Sequence, residues 1–373
     1  MTCRGFKSIL VAAFSLFCVF FSNPVRSQDK GTEKTEEKKG VFDANEVIFA
    51  HVLDAHQFHF FSYSTGEGKE HQIIIPLPVI LYSPQRGMTV FSSSRFEEGE
   101  VAYEGYKIGK EKIVAVTATG EVDPSVKVYD ISLSRNVVQM LIALTILVVL
   151  MVNIAKKYKR GIGTTQAPTG FQNAMEPVIT FIRDEVAKPN LGDYYEKYLP
   201  YLLTLFLFIL INNIVGLIPG SANVTGNIAF TLVLGVISFI VILVNGNKHY
   251  WGHIVNPPVP FGIKFIMVPV EILGIFTKPF ALIIRLFANM VAGHIIIICL
   301  VSLIFIFGAL NKAIGWGFSP VSIGFAVFIY LIEILVAFIQ AFIFTNLTAV
   351  FIGQAIEKPH HDAHGHDDTP VIL

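Results

Sequence analysis

Four side chains that carry or exchange charge stand inside stretches otherwise built of Ile, Leu, Val and Phe: Glu271, Arg285, His294 and Glu333. Amides accompany them at Asn212, Asn213, Asn289 and Gln340. An ionisable group at bilayer depth costs about 2.5–3.5 kcal/mol on insertion scales. A chain that keeps several of them uses them for transport, for pairing or to line a water path. Arg285 is flanked by Ala281-Leu282-Ile283-Ile284 and Leu286-Phe287-Ala288 and lies too deep to snorkel. With a pKa above about 12 it holds its charge and passes no proton on. It suits a fixed counter-ion, expected for a carboxylate on another chain; the alternative is a pair within this chain with Glu271 or Glu333.

His294 and Glu333 both titrate and can relay protons. On a regular helix the nine residues from Arg285 to His294 amount to about 900° of rotation and about 13 Å of rise, so the two point to opposite sides. Asn289, at i+4, shares the Arg285 face. Glu333 and Gln340, seven apart, share one stripe of the last helix. The set suits a protein that delivers protons on one side of a fixed positive charge and removes them on the other.

The elements that must position these residues are membrane helices. Of 373 residues 53% are hydrophobic and only 15% charged, with a mean hydropathy of +0.59; a soluble domain of this size needs more charge on its surface. The formal net charge is zero, which gives no footprint for nucleic acid. Arg135 to Ile154 reads as a first span, closed by Lys156-Lys157-Tyr158-Lys159-Arg160. The positive-inside rule makes that end cytoplasmic and puts the preceding domain outside. Over 168–190, Met175, Val178, Ile179, Ile182 and Val186 recur at helical spacing opposite Arg183, Asp184 and Lys188, an amphipathic helix on the cytoplasmic face. Tyr198 to Ile218 spans outward to Pro219-Gly220, Asn227 to Val244 returns, and Asn245 to Pro260 is a Pro- and aromatic-rich loop.

Two apolar stretches are too long to cross upright. As straight helices Phe261–Phe307 would measure about 70 Å and Gly317–Gly353 about 55 Å, against about 30 Å of hydrocarbon. Pro269 and Pro279 can break the first near its start; otherwise both lie steeply inclined, joined by an outside loop, Gly308 to Ser319. The expected fold is an all-α polytopic membrane protein of about five transmembrane helices plus the surface helix, preceded by a small, partly β exterior domain.

That division gives four segments. Residues 1–27 read as a signal peptide, with Arg4 and Lys7 before the apolar Ser8–Phe21; an uncleaved anchor is the alternative, because Val25-Arg26-Ser27 only approximates a cleavage site. Residues 28–133 form the exterior, periplasmic region: a charged linker over 28–40, then alternating short apolar runs such as Gln72–Pro76 and Lys112–Val116. Its His51, His56, His59 and His71 lack ligand spacing, so no metal site is expected. Residues 134–355 are the membrane domain. Residues 356–373 form a cytoplasmic tail holding His360, His361, His364 and His366, expected to be solvated; metal binding is the alternative. The three cysteines, Cys3, Cys18 and Cys299, support no disulfide framework. No phosphate-binding loop occurs, so neither a bound nucleotide nor a cofactor is expected.

At the charged residues the sequence resembles subunit a of F-type ATP synthases. Lys278-Pro279-Phe280 through Arg285-Leu286-Phe287-Ala288-Asn289-Met290-Val291-Ala292-Gly293-His294 is similar to that family's signature around its essential arginine, and Ile332 to Gly353 to its second signature. Met175-Glu176-Pro177 to Arg183-Asp184-Glu185 resembles its surface helix. The likeness covers residues 135 to 355. It implies a non-catalytic, proton-conducting stator subunit of the bacterial inner membrane, with two half-channels that face a rotating c-ring, partnered by peripheral-stalk b subunits and the rest of the synthase. It implies that Arg285 faces the ring carboxylate, that Glu271 is a half-channel acid, and that Asn289 and Gln340 lie near the arginine. His294 and Glu333 match a pair that other members carry in the reverse order. Gly216 stands where that family often has Asp, which leaves access there to Asn212, Asn213 or water. A self-contained secondary transporter is the rival reading; it predicts an internal repeat, and none is seen.

Overall fold

The computed structural model describes residues 57–356, apart from 66–68, 100, 110–112, 118–120, 124, 164–165, 169, 219 and 258–259. The expected signal peptide, the charged linker, His51, His56 and the His-rich tail lie outside the described residues.

The N-terminal region is built of short antiparallel pairs. β1 (Gln57–Thr65) and β2 (Lys69–Pro76) form a hairpin. β3 (Pro78–Ser83) lies between β4 (Gly87–Ser92) and the two-residue β7 (Tyr129–Asp130), while β5 (Tyr106–Ile108) pairs with β6 (Ile113–Ala115). Gly87, at φ +80°, supplies the left-handed backbone that the β3–β4 turn requires. Alternation along β3 sends Val79 and Leu81 inward, where they meet Phe96, Tyr106, Ile113 and Ala115 in a small core. Arg86 ties the strand pairs together: its guanidinium donates to the carbonyls of Gly105 (2.8 Å) and Val116 (3.4 Å) and lies 5.5 Å from the Tyr106 ring centre. The strands expected around Gln72–Pro76 and Lys112–Val116 are present as β2 and β6.

Ser132 fastens this region to the membrane domain, since Ile80 N–H donates to its hydroxyl (2.9 Å). α1 (Arg135–Lys159) begins three residues later, with Lys156, Lys157 and Lys159 in its last turn opposite the negative helix end. α2 (Phe171–Phe181) continues through a π-helical turn, Ile182–Ala187, into α3 (Lys188–Leu191). The apolar face read from the sequence is received by protein: Ile182 and Val186 are fully buried in a core shared with Leu202 and Phe206 of α4 (Tyr195–Gly216). α5 (Ile228–Asn245) starts where the Asn227 side chain accepts from Ala229 N–H (2.9 Å).

Three expectations are corrected. The loop Asn245–Pro260 contains a helix, α6 (Lys248–Val255), whose Trp251 and Ile254 pack on Phe239 and Ile275; eight residues are too few for periodicity to announce it. Pro269 and Pro279 do not break the next helix. α7 runs unbroken over Phe261–Leu310, 50 residues, or about 75 Å, and prolines survive in membrane helices where neighbours and side chains satisfy the freed carbonyls. The expected outside loop Gly308–Ser319 shrinks to Asn311, because α8 (Lys312–Ile356, 45 residues) starts at once. Asn311 caps it by accepting from Ala313 N–H (2.9 Å). Gly315 makes the sharp reversal possible, since a methyl there would collide with the backbone of Gly308.

α7 and α8 form an antiparallel pair, registered at one end by Lys278 donating to Gln354 (3.0 Å) and at the other by the Ser322 hydroxyl donating to the Leu300 carbonyl. Five helices are long and apolar enough to cross a membrane among the described residues. α7 and α8, at 50 and 45 residues, are longer than an upright crossing of about 30 Å needs.

Candidate functional site

Because α7 is one uninterrupted helix, the half-turn offset between Arg285 and His294 survives folding. Arg285 and Asn289 stand on the exposed side of α7, and His294 is turned inward toward α8. Arg285 makes no hydrogen bond or ion pair among the described residues, so the pairing with Glu271 or Glu333 held open above does not form.

On α8, Glu333 and Gln340 lie on the buried stripe, each 4% exposed. Nδ1 of His294 stands 3.8 Å from Oε1 of Glu333. That distance exceeds a hydrogen bond but places a proton-carrying ring beside a carboxylate. Neither Glu333 oxygen, nor His294 Nδ1, has a hydrogen-bond partner among the described residues. A buried acceptor left so carries a desolvation cost of about 1–3 kcal/mol, more for a charged group. The arrangement is chemically open to a proton, to water or to imidazolium charge.

Gly293 makes the approach possible. A methyl at that position would overlap Glu333 Oε1 and crowd the carboxyl carbon at 2.7 Å. The residue stood in the sequence beside His294, but nothing in the pattern marked it as the floor under an acid forty positions downstream.

α4 adds the two expected amides. Asn212 and Asn213 are fully buried. Asn213 donates to the Ala337 carbonyl (3.1 Å), on the α8 stripe between Glu333 and Gln340, and Asn212 donates to Phe208 of its own helix (2.8 Å). The amide oxygens of both have no partner among the described residues. Unpartnered acceptors on α4 and α8 and an unpartnered ring nitrogen on α7 thus occur in the same packed layer of helices.

Glu271 is not brought to this cluster. It lies on the same straight helix about 35 Å from His294 along the axis, half-buried. Its neighbour is Tyr250 of α6: burial first, and the Glu271 charge second, push that phenol above its usual range.

Several positioning residues escaped the sequence reading. The Tyr330 hydroxyl donates to the Leu217 carbonyl (2.6 Å), and Asn223 donates to the Met290 carbonyl (3.2 Å), five residues after Arg285. Gln139 of α1 clamps Ala222: its oxygen accepts from Ala222 N–H (2.6 Å) and its amide donates to the Ala222 carbonyl. Together they hold the segment between α4 and α5 against α7 and α8. Gln139 had a signal, an amide set near the start of an apolar span.

The family described as ATP synthase A chain matches residues 137–353, which contain every one of these side chains. A second family, described as Domain of unknown function (DUF8433), matches residues 47–131, the β region. Among curated relatives, ATP synthase subunit a of Chloroherpeton thalassium is 49% identical over 245 residues, covering 64% of this chain and 71% of the relative. ATP synthase subunit a 2 of Prosthecochloris aestuarii is 50% identical over 239 residues, 63% of this chain and 72% of the relative. ATP synthase subunit a of Myxococcus xanthus is 41% identical over 246 residues, 64% and 78%. With more than half of its length matched by the family and close to half of the aligned residues shared with such relatives, the chain belongs to the ATP synthase subunit a family.

Proposed function

We propose that this proton-translocating subunit carries protons through two half-channels separated by Arg285, and that it takes no part in nucleotide chemistry itself. In this reading the exposed, unpaired Arg285 guanidinium faces a carboxylate of a rotating c-ring. It forces that carboxyl to release its proton on approach and blocks a direct leak between the channels. Asn289 shares its face, and Gln340 lies on the neighbouring α8 stripe. The His294–Glu333 pair, with Asn212 and Asn213, hands protons along one channel. Glu271, far down α7, serves the other. The observation that carries the reading is the buried Glu333 carboxylate, without a hydrogen bond among the described residues, facing His294 Nδ1 at 3.8 Å, two and a half helical turns from Arg285 and on the opposite side of α7.

The partners would be the c-ring, peripheral-stalk b subunits and the remaining synthase. The basic end of α1 supports an N-terminal domain outside the bacterial inner membrane and a cytoplasmic C-terminus. The test is Arg285→Lys, which keeps the charge but loses the planar fork and the very high pKa. In inverted vesicles ATP-driven proton pumping is lost while the membrane sector still assembles; near-normal pumping would remove Arg285 from this role.

A further inference from the structure

A groove of about 810 Å³ runs between the second half of α1 and the start of α2. At its mouth are Lys156, Lys157 and Arg160, and none of its lining residues is acidic. None of these three side chains has a hydrogen bond or ion pair among the described residues. Deeper in, Ile146, Val149 and Leu150 make an apolar wall faced by Phe171. Gln172 closes the mouth side: it is buried, and its amide donates to the Ile162 carbonyl (2.9 Å).

The groove has the length of one lipid leaflet. From Arg160 to Thr145, its last lining residue up the helix, is fifteen residues, about 22 Å. Half of a bilayer with its headgroups is about 20–22 Å. The charged lining residues all lie at the headgroup end, and beyond them the α1 wall is apolar apart from Asn153 and Thr145. A partner's membrane helix would need a seat along the whole of α1, yet the groove stops midway, and Leu141 and Ile142 beyond it are ordinary exposed apolar residues. The mouth is also held rigid. After α1 the chain turns back through Gly161 and Gly163, both at positive φ, and Ile162 N–H donates to the Lys157 carbonyl (3.2 Å).

We propose that this groove is a binding site for one anionic phospholipid, its phosphate held by Lys156, Lys157 and Arg160 and one acyl chain laid along Ile146 and Val149. Basic pockets between helices on the positively charged side of a membrane protein are suited to such headgroups.

The test uses the assembled synthase in phosphatidylcholine nanodiscs. These carry a small fraction of either a diazirine-bearing phosphatidylglycerol or a phosphatidylcholine with the same chains. Phosphatidylglycerol is expected to label 145–160 and 171–172 roughly tenfold more than phosphatidylcholine. The triple variant Lys156→Gln, Lys157→Gln, Arg160→Gln reduces labelling to the phosphatidylcholine level and leaves α5 labelling unchanged. A second variant, Val149→Trp, keeps the charges but fills the acyl end and lowers labelling too. Equal labelling by the two lipids overturns the proposal, as does preference that persists in the triple variant. So does displacement by millimolar inorganic phosphate, which would mark a free-anion site, or photocrosslinking of the groove to another polypeptide in place of lipid.

Discussion

The Glu333 carboxylate rests directly on Gly293, the residue preceding His294, so the floor and the partner of the buried acid come from consecutive positions of α7. That contact fixes the height at which α8 meets α7 and holds the two titratable groups within one charge-pairing distance. It joins Gly293 and His294 with Glu333, forty positions downstream, into a single unit whose members are expected to be non-additive.

Replacing either partner with alanine, His294→Ala or Glu333→Ala, is expected to slow proton flux roughly tenfold or more, as loss of a positioned proton-transfer group does. The exchanged double variant, His294→Glu with Glu333→His, recovers part of it. Flux through reconstituted complexes for all four combinations, at one pH and one membrane potential, forms the cycle. Strictly additive losses without recovery would place the two groups on separate paths.

Gly293→Ala is expected to leave assembly intact, because the obstacle it meets is the end of a flexible side chain. It swings the Glu333 carboxylate off its seat and lowers flux several-fold, about 1–1.5 kcal/mol of barrier. Adding Glu333→Asp, which retracts the carboxyl by one methylene, restores a measurable share. If Gly293→Ala pumps at the normal rate, the close seat does not matter for transfer.

Gln139→Leu removes both hydrogen bonds to Ala222, whose backbone groups stay buried. The loss is expected to be about 2–6 kcal/mol, from about 1–3 kcal/mol for each of the two stranded groups. It should appear as a lower unfolding temperature of the detergent-solubilised complex and as faster protease cleavage between α4 and α5. An unchanged cleavage rate would mean that Tyr330 and Asn223 hold the segment alone.

In the N-terminal β region Arg86→Ala is expected to cost about 1–3 kcal/mol, from two carbonyl bonds and the stacking on Tyr106. Arg86→Lys keeps a cation near the ring but loses the fork and recovers less than half. Limited proteolysis of the full chain in membranes ranks the three. Equal resistance in all of them would show that the apolar core of Val79, Leu81 and Phe96 is sufficient.

The fold class and the membrane spans were legible because lipid enforces long apolar runs, and such runs are visible in one dimension. The identity and order of Glu271, Arg285, His294 and Glu333 were legible for the same reason, since charge in an apolar run is conspicuous. The phase between Arg285 and His294 was also legible, because a 3.6-residue period is a local property and α7 turned out unbroken. What sequence could not decide depends on contacts between distant segments. Pro269 and Pro279 are breakers by local rule, and only the packing of α7 lets the helix pass through them. The Gly308–Ser319 loop looked long because polar and small residues mark turns, whereas Gly315 against Gly308 allows a reversal at Asn311 alone. Gly293 under Glu333, Asn213 on Ala337 and Gln139 around Ala222 are pairs across helices. Their residue types announced polarity or smallness, but a partner exists only once two helices have been laid side by side.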